Sequence, residues 1–140
     1  MIDVVFISPG NSKKIYQELA YDYSAIEPPT WALLLAQAIR AKGFSCSIID
    51  CNAENLNSFE VLGKINNLKP RLVCFVVYGQ NVNSGTTNMS GAVSLANFIK
   101  TQNSNLVISF VGSHVQSLPI ATLEKEKSID FVFTNEGVYS

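Results

Sequence analysis

Apolar residues fall along this chain in short unbroken runs separated by longer stretches with helical spacing. Val4 to Ile7, Phe44 to Ile49, Leu72 to Val77, Leu106 to Val111 and Ile129 to Phe133 are the runs. Each is rich in β-branched or aromatic residues and is bounded by turn formers, as expected of strands buried on both faces. Between them the spacing changes. Trp31, Leu34, Leu35, Ala38 and Ile39 predict one helical stripe after the Pro28-Pro29-Thr30 start, closed by Lys42-Gly43. Val61, Leu62, Ile65 and Leu68 predict a second helix, capped at Asn57-Ser58 and ended by Pro70. Met89, Ala92, Val93, Ala96 and Ile99 predict a third, and Ser117 to Lys125 a short fourth. Lys13 to Glu27 and Tyr78 to Thr87 read as loops.

Strands that alternate with helices, with connections too long for hairpins, predict a parallel sheet wound on both faces by right-handed crossovers. The expected fold is α/β, flavodoxin-like (Rossmann-like), a doubly wound parallel five-stranded sheet in the order 2-1-3-4-5. Ligands in such sheets sit beyond the carboxyl ends of the strands, at the point where the strand order reverses. The loops after Ile7, Val77 and Val111 should therefore border one crevice. The hinge of this expectation is Leu106 to Pro119, where a buried strand runs into Gly112-Ser113-His114. Gly112 reads either as a turn glycine or as a bare backbone that lets a flat ligand approach.

Composition narrows the function. The chain has 140 residues, 47% hydrophobic and 15% charged, with a net charge of −1. One domain with its own core is expected. No global field draws in nucleic acid or an anionic membrane, and no apolar run approaches the ~18 residues of a membrane span. The start, Met1 to Ile7, has no basic segment or cleavage site of a signal peptide. An odd count of 3 cysteines at irregular spacing predicts reduced thiols and a cytoplasmic setting. The sequence stops just past the fifth strand without a closing helix, which predicts a piece of a longer protein.

Several chemistries are absent. There is no Gly-x-Gly-x-x-Gly after the first strand and no phosphate-binding P-loop. The carboxylates of a response regulator are replaced by Ser8-Pro9 and Val77-Tyr78. A single histidine, His114, excludes a multi-histidine metal site, and Cys46, Cys51 and Cys74 lack zinc or iron–sulfur spacing. No Gly-x-Ser-x-Gly elbow holds a nucleophile, so catalysis by this chain alone is not expected. What is left is a sheet edge lined by backbone amides, hydroxyls and carboxamides, suited to a large, nearly neutral ligand.

Pro28-Pro29 with Trp31 to Ala36, then Lys42-Gly43-Phe44 and Ile49-Asp50, resembles the start of the cobalamin (B12)-binding domain of B12-binding radical SAM proteins. Val111-Gly112-Ser113-His114-Val115 with Leu118-Pro119 resembles their Gly-Gly-x-His stretch, and Asp130-Phe131-Val132 with Asn135-Glu136-Gly137 their closing Gly-Glu-Gly stretch. The resemblance covers nearly the whole chain. It implies that cobalamin rests on the carboxyl edge of the sheet, against Ser8, Pro9 and Gly10, Tyr78, Gly79, Gln80 and Asn81, Gly112, Ser113 and His114, and Glu136 and Gly137. It also implies a radical SAM catalytic domain as partner. That domain would carry S-adenosylmethionine and a 4Fe-4S cluster, because the Cys-x-x-x-Cys-x-x-Cys of the cluster does not occur here. The Asp-x-His-x-x-Gly that supplies a cobalt-ligating histidine in classical cobalamin modules is also missing after the first strand, as in many radical SAM relatives. Ser113 stands where the family's second glycine is found, and Trp31, where a small residue is common, is expected to anchor the core. Two other readings stay open: an FMN-binding flavodoxin-like module using Ser8 to Ser12 for phosphate, and a degenerate domain used for protein interaction.

Overall fold

A computed structural model describes residues 1–10, 28–78 and 82–138, with residues 82–87 described by backbone alone. The loop expected over Lys13 to Glu27 and the residues Gly79, Gln80 and Asn81 lie outside the described residues.

In chain order the elements are β1 (Ile2–Ser8), α1 (Thr30–Ala41), β2 (Cys46–Asp50), α2 (Ser58–Leu68), β3 (Pro70–Val76), α3 (Val82–Gln102), β4 (Val107–Val111), α4 (Ser113–Ser117), α5 (Pro119–Lys125) and β5 (Phe131–Phe133). The strands form one 5-stranded sheet in the order β2-β1-β3-β4-β5, every pairing parallel. The predicted flavodoxin-like architecture is therefore the observed one, with the order reversing between β1 and β3.

Period-two alternation divides the strand residues between two cores. Val5, Ile7, Val73, Phe75, Ile108 and Phe110 point to the face packed by α2, α3 and α4. Phe75 and Phe110, both without exposure, stack there at 4.8 Å between ring centroids. Phe6, Cys74, Val76 and Val111 point the other way, toward α1. On α3, Met89, Ala92, Ala96 and Ile99 are buried, as their spacing predicts, and the alanines let the helix approach the sheet closely. Asn57 caps α2 with a full capping box: its Oδ1 accepts from the Phe59 and Glu60 amides while Glu60 Oε2 accepts from the Asn57 amide.

Polar pins set the strand ends. The Ser45 amide and hydroxyl both donate to Asp3 Oδ2, at 2.9 and 2.6 Å, fixing β1 to the entry of β2. These bonds, with the Arg71 guanidinium nearby, hold the Asp3 carboxyl below its usual pKa. The Ile108 amide donates to Asp130 Oδ2 at 2.7 Å, and Lys100 pairs with the same oxygen at 2.8 Å, which ties the start of β5 to β4.

The structure differs from the sequence expectation at three elements. On α1 the buried residues are Ala32, Leu35 and Ala36, whereas Leu34 is 51% exposed. The inward face is thus one step round from the predicted stripe, because small residues let the helix sit closer to the strands than Trp31 and Leu34 permit. α3 begins at Val82, inside the segment read as a loop. Ser113 and His114 open α4 rather than forming a turn, so the single helix expected from Ser117 is two short ones.

Candidate functional site

The carboxyl ends of the strands carry most of the singled-out residues onto one rim. After β1, the Ser8 carbonyl accepts from the Cys51 amide at 3.0 Å, and Gly10 lies against the turn that follows β2. A Cβ on Gly10 would come within 3.2 Å of the Asn52 nitrogen. That turn is itself held by Asp50, whose Oδ1 accepts from the Asn52 and Ala53 amides. Ser8, Pro9 and Gly10 therefore lean toward β2.

After β3, the pairing with β4 runs one residue further, the Val77 amide donating to the Val111 carbonyl at 2.8 Å. Gly112 follows with φ +152°, and a Cβ there would collide with the Val77 carbonyl, lying 2.7 Å from its carbon. The bare Cα of Gly112 is thus taken up by the protein's own backbone at β3, not by space left open for a ligand. Ser113 comes next, and its hydroxyl is buried with no hydrogen-bond partner among the described residues. A buried hydroxyl left unpaired is costly, and that of Ser113 stands at the mouth of β4. Val115 of α4 has no exposure and anchors this helix in the core, with His114 and Ser113 on the rim side of it.

Tyr78 and the β5 exit form a second group. The Tyr78 ring stacks on Trp31 at 4.3 Å and 21°, and its hydroxyl is buried with no hydrogen-bond partner among the described residues. Burial, and then the negative charge of Glu136, push the phenol pKa up, so it stays protonated and able to donate. Trp31, expected in the core, is 38% exposed at the head of α1. Its place two residues after Pro29, on the first turn of α1, was the available sequence signal. Gly137, at φ +79°, takes its amide back to Asn135 Oδ1 at 2.8 Å. Its Cα packs so closely that a Cβ would meet Leu35 at 3.0 Å and Val111 at 3.3 Å.

Burial raises the Cys51 thiol to about 11 and the Cys74 thiol to about 12. Both are neutral thiols near pH 7, and the thiolate is the form that ligates metal. Among the described residues, no group of three or more His, Cys, Asp or Glu side chains is placed to hold a metal ion, and no helix is long and apolar enough to cross a membrane. Among the described residues the rim presents backbone, hydroxyl and aromatic groups, with Ser113 Oγ unpartnered there, a lining compatible with a bulky ligand bearing neutral amides.

The fold has counterparts among solved structures. The chain resembles the radical S-adenosylmethionine methyltransferase TsrM from Kitasatospora setae with tryptophan substrate and a SAM analogue bound, at a TM-score of 0.63 and 14% identity over 91% of this chain and 22% of that one. It also resembles TsrM with cobalamin and a [4Fe-4S] cluster bound, at a TM-score of 0.60 and 15% identity over 91% of this chain and 21% of that one. The chain thus spans about a fifth of the length of TsrM. No curated protein matches the sequence. The model of the B12 binding domain matches residues 20–139, nearly the whole sequence, and the chain belongs to that family.

Proposed function

We propose that this chain is the cobalamin-holding domain of a larger, B12-dependent radical SAM enzyme of the methyltransferase kind. The observation that carries the reading is the family match over residues 20–139 on a 2-1-3-4-5 parallel sheet. The partner is then a radical SAM catalytic domain, which brings S-adenosylmethionine and the 4Fe-4S cluster, and the setting is cytoplasmic. Cobalamin, when bound, supplies alkyl-group transfer at cobalt.

The chain's own residues hold and orient it. Ser8, Pro9 and Gly10 border the crevice on the β1 side, and Tyr78 borders it on the β3 side. Ser113 and His114 would hold the corrin edge at the mouth of β4, while Gly112 keeps that turn pressed on the Val77 backbone. The Tyr78–Trp31 stack and Glu136-Gly137 close the rim toward α1. The segment after β1 contains no histidine, so no imidazole from it would serve the cobalt.

The test is retention. The purified protein is mixed with hydroxocobalamin or FMN, desalted, and read by its visible spectrum and by the fluorescence of Trp31, the one tryptophan. The expected result is about one cobalamin per chain with quenched Trp31 emission, no FMN, and an unchanged cobalamin spectrum in His114→Ala. Retention of FMN instead, or a spectrum that shifts when His114 is removed, contradicts the reading.

A further inference from the structure

Trp31 stands where the pattern resembled above commonly has a small residue, and the core does not account for it. A tryptophan that serves packing alone is mostly buried. Trp31 is 38% exposed, while Ala32 and Leu35, next to it on α1, are 1% and 3% exposed and make the contact with the sheet.

Its place in the fold is fixed from two sides. The helix between two parallel strands runs back antiparallel to them, so α1, which leads from β1 to β2, begins at the carboxyl edge of the sheet. Trp31 is in its first turn. Tyr78 follows the end of β3 at the same edge, and the two rings stack at 4.3 Å between centroids and 21°. The pair therefore joins the head of α1 to the exit of β3, beside the point where the strand order reverses. Tyr78 packs with the apolar cluster under α1, so it takes up the inner side of the indole. The exposed area belongs to the part of the ring turned away from Tyr78. An indole already held in one orientation offers a broad apolar surface that loses little rotamer freedom when a ligand covers it. Because Tyr78 fills the space beneath, that surface is open to a ring lying over the edge, not to a group inserted between α1 and the sheet.

We propose that Trp31 is a ligand-contacting residue that positions the macrocycle by laying its indole against the rim of the corrin. The inference rests on the cobalamin reading above and adds a residue outside those the resemblance implies.

The test uses the single indole N–H signal that one tryptophan gives in the NMR spectrum of the isotope-labelled chain. The chain is titrated with hydroxocobalamin and with dicyanocobinamide, which has the same macrocycle and no nucleotide tail, and affinities are measured by equilibrium dialysis. The expected result is nuclear Overhauser contacts between the indole and corrin methyl groups with both ligands. Trp31→Leu should weaken the binding of both by about tenfold, the weight of one aromatic anchor, and Trp31→Phe should restore most of it. Urea midpoints of the two variants should agree, since a merely structural role would separate them. A weakening confined to hydroxocobalamin assigns Trp31 to the tail and overturns the proposal. So does a native complex that lacks the indole contacts, a result that stands even where Trp31→Leu fails to fold. Retention of neither ligand by the native chain sinks the cofactor reading and this inference with it. Retention without the indole contacts sinks only the role of Trp31.

Discussion

Gly112→Ala is expected to unfold the domain or to cost at least about 3 kcal/mol of its stability. Two effects add. Gly112 has φ +152°, a region L-residues rarely adopt, and the new Cβ would fall on the Val77 carbonyl, a backbone group that β3 cannot move without breaking its pairing with β4. Domains of this size are stable by only about 5–15 kcal/mol, so the loss is a large fraction of the whole. Gly43→Ala separates the two effects. Gly43 also has positive φ, at +87°, but nothing lies within 4 Å of a Cβ there. Strain alone should cost it about 1 kcal/mol. Urea titration of both variants checks the pair: a Gly112 variant no worse than the Gly43 variant contradicts the backbone-crossing account.

Phe110→Ala is expected to cost about 3–5 kcal/mol, the range for emptying a buried aromatic site. Phe110 has no exposure and stacks on Phe75 across β3 and β4. It also stands two residues before Gly112, so the cavity lies directly under the rim. Ligand retention should therefore weaken along with stability. Phe59→Ala is the contrast. Its ring meets Phe98 edge-on at 5.0 Å but is 75% exposed, and its removal should cost under about 1 kcal/mol. Similar denaturation midpoints for the two variants would contradict the assignment of Phe75 and Phe110 to the centre of the larger core.

The architecture was legible because a parallel sheet buried on both faces writes unbroken apolar runs into the chain, and turn residues separate them from helical spacing. The phase of α1 was not. Leu33-Leu34-Leu35 makes that helix apolar on more than one side, and periodicity cannot choose between sides. The sheet chose Ala32 and Ala36 for their size. The start of α3 was hidden because Asn83, Ser84, Gly85, Thr86 and Thr87 are poor helix formers. The helix from Val82 is carried through them by the packing of Met89, Ala92, Ala96 and Ile99 further along. At the rim, the sequence marked Gly112 as special, but the cause is the Val77 carbonyl, a contact between distant parts of the chain that local spacing does not record. Trp31 on Tyr78 escaped for the same reason.

Amide hydrogen exchange with and without hydroxocobalamin tests the central claim most directly. The account predicts slowed exchange at Gly10, Tyr78, Gly112 to His114 and Glu136-Gly137, with α2 and the amino-terminal ends of the strands unchanged. Protection confined to α2 or to the amino-terminal ends of the strands, or none at their carboxyl ends when cobalamin is retained, would contradict it.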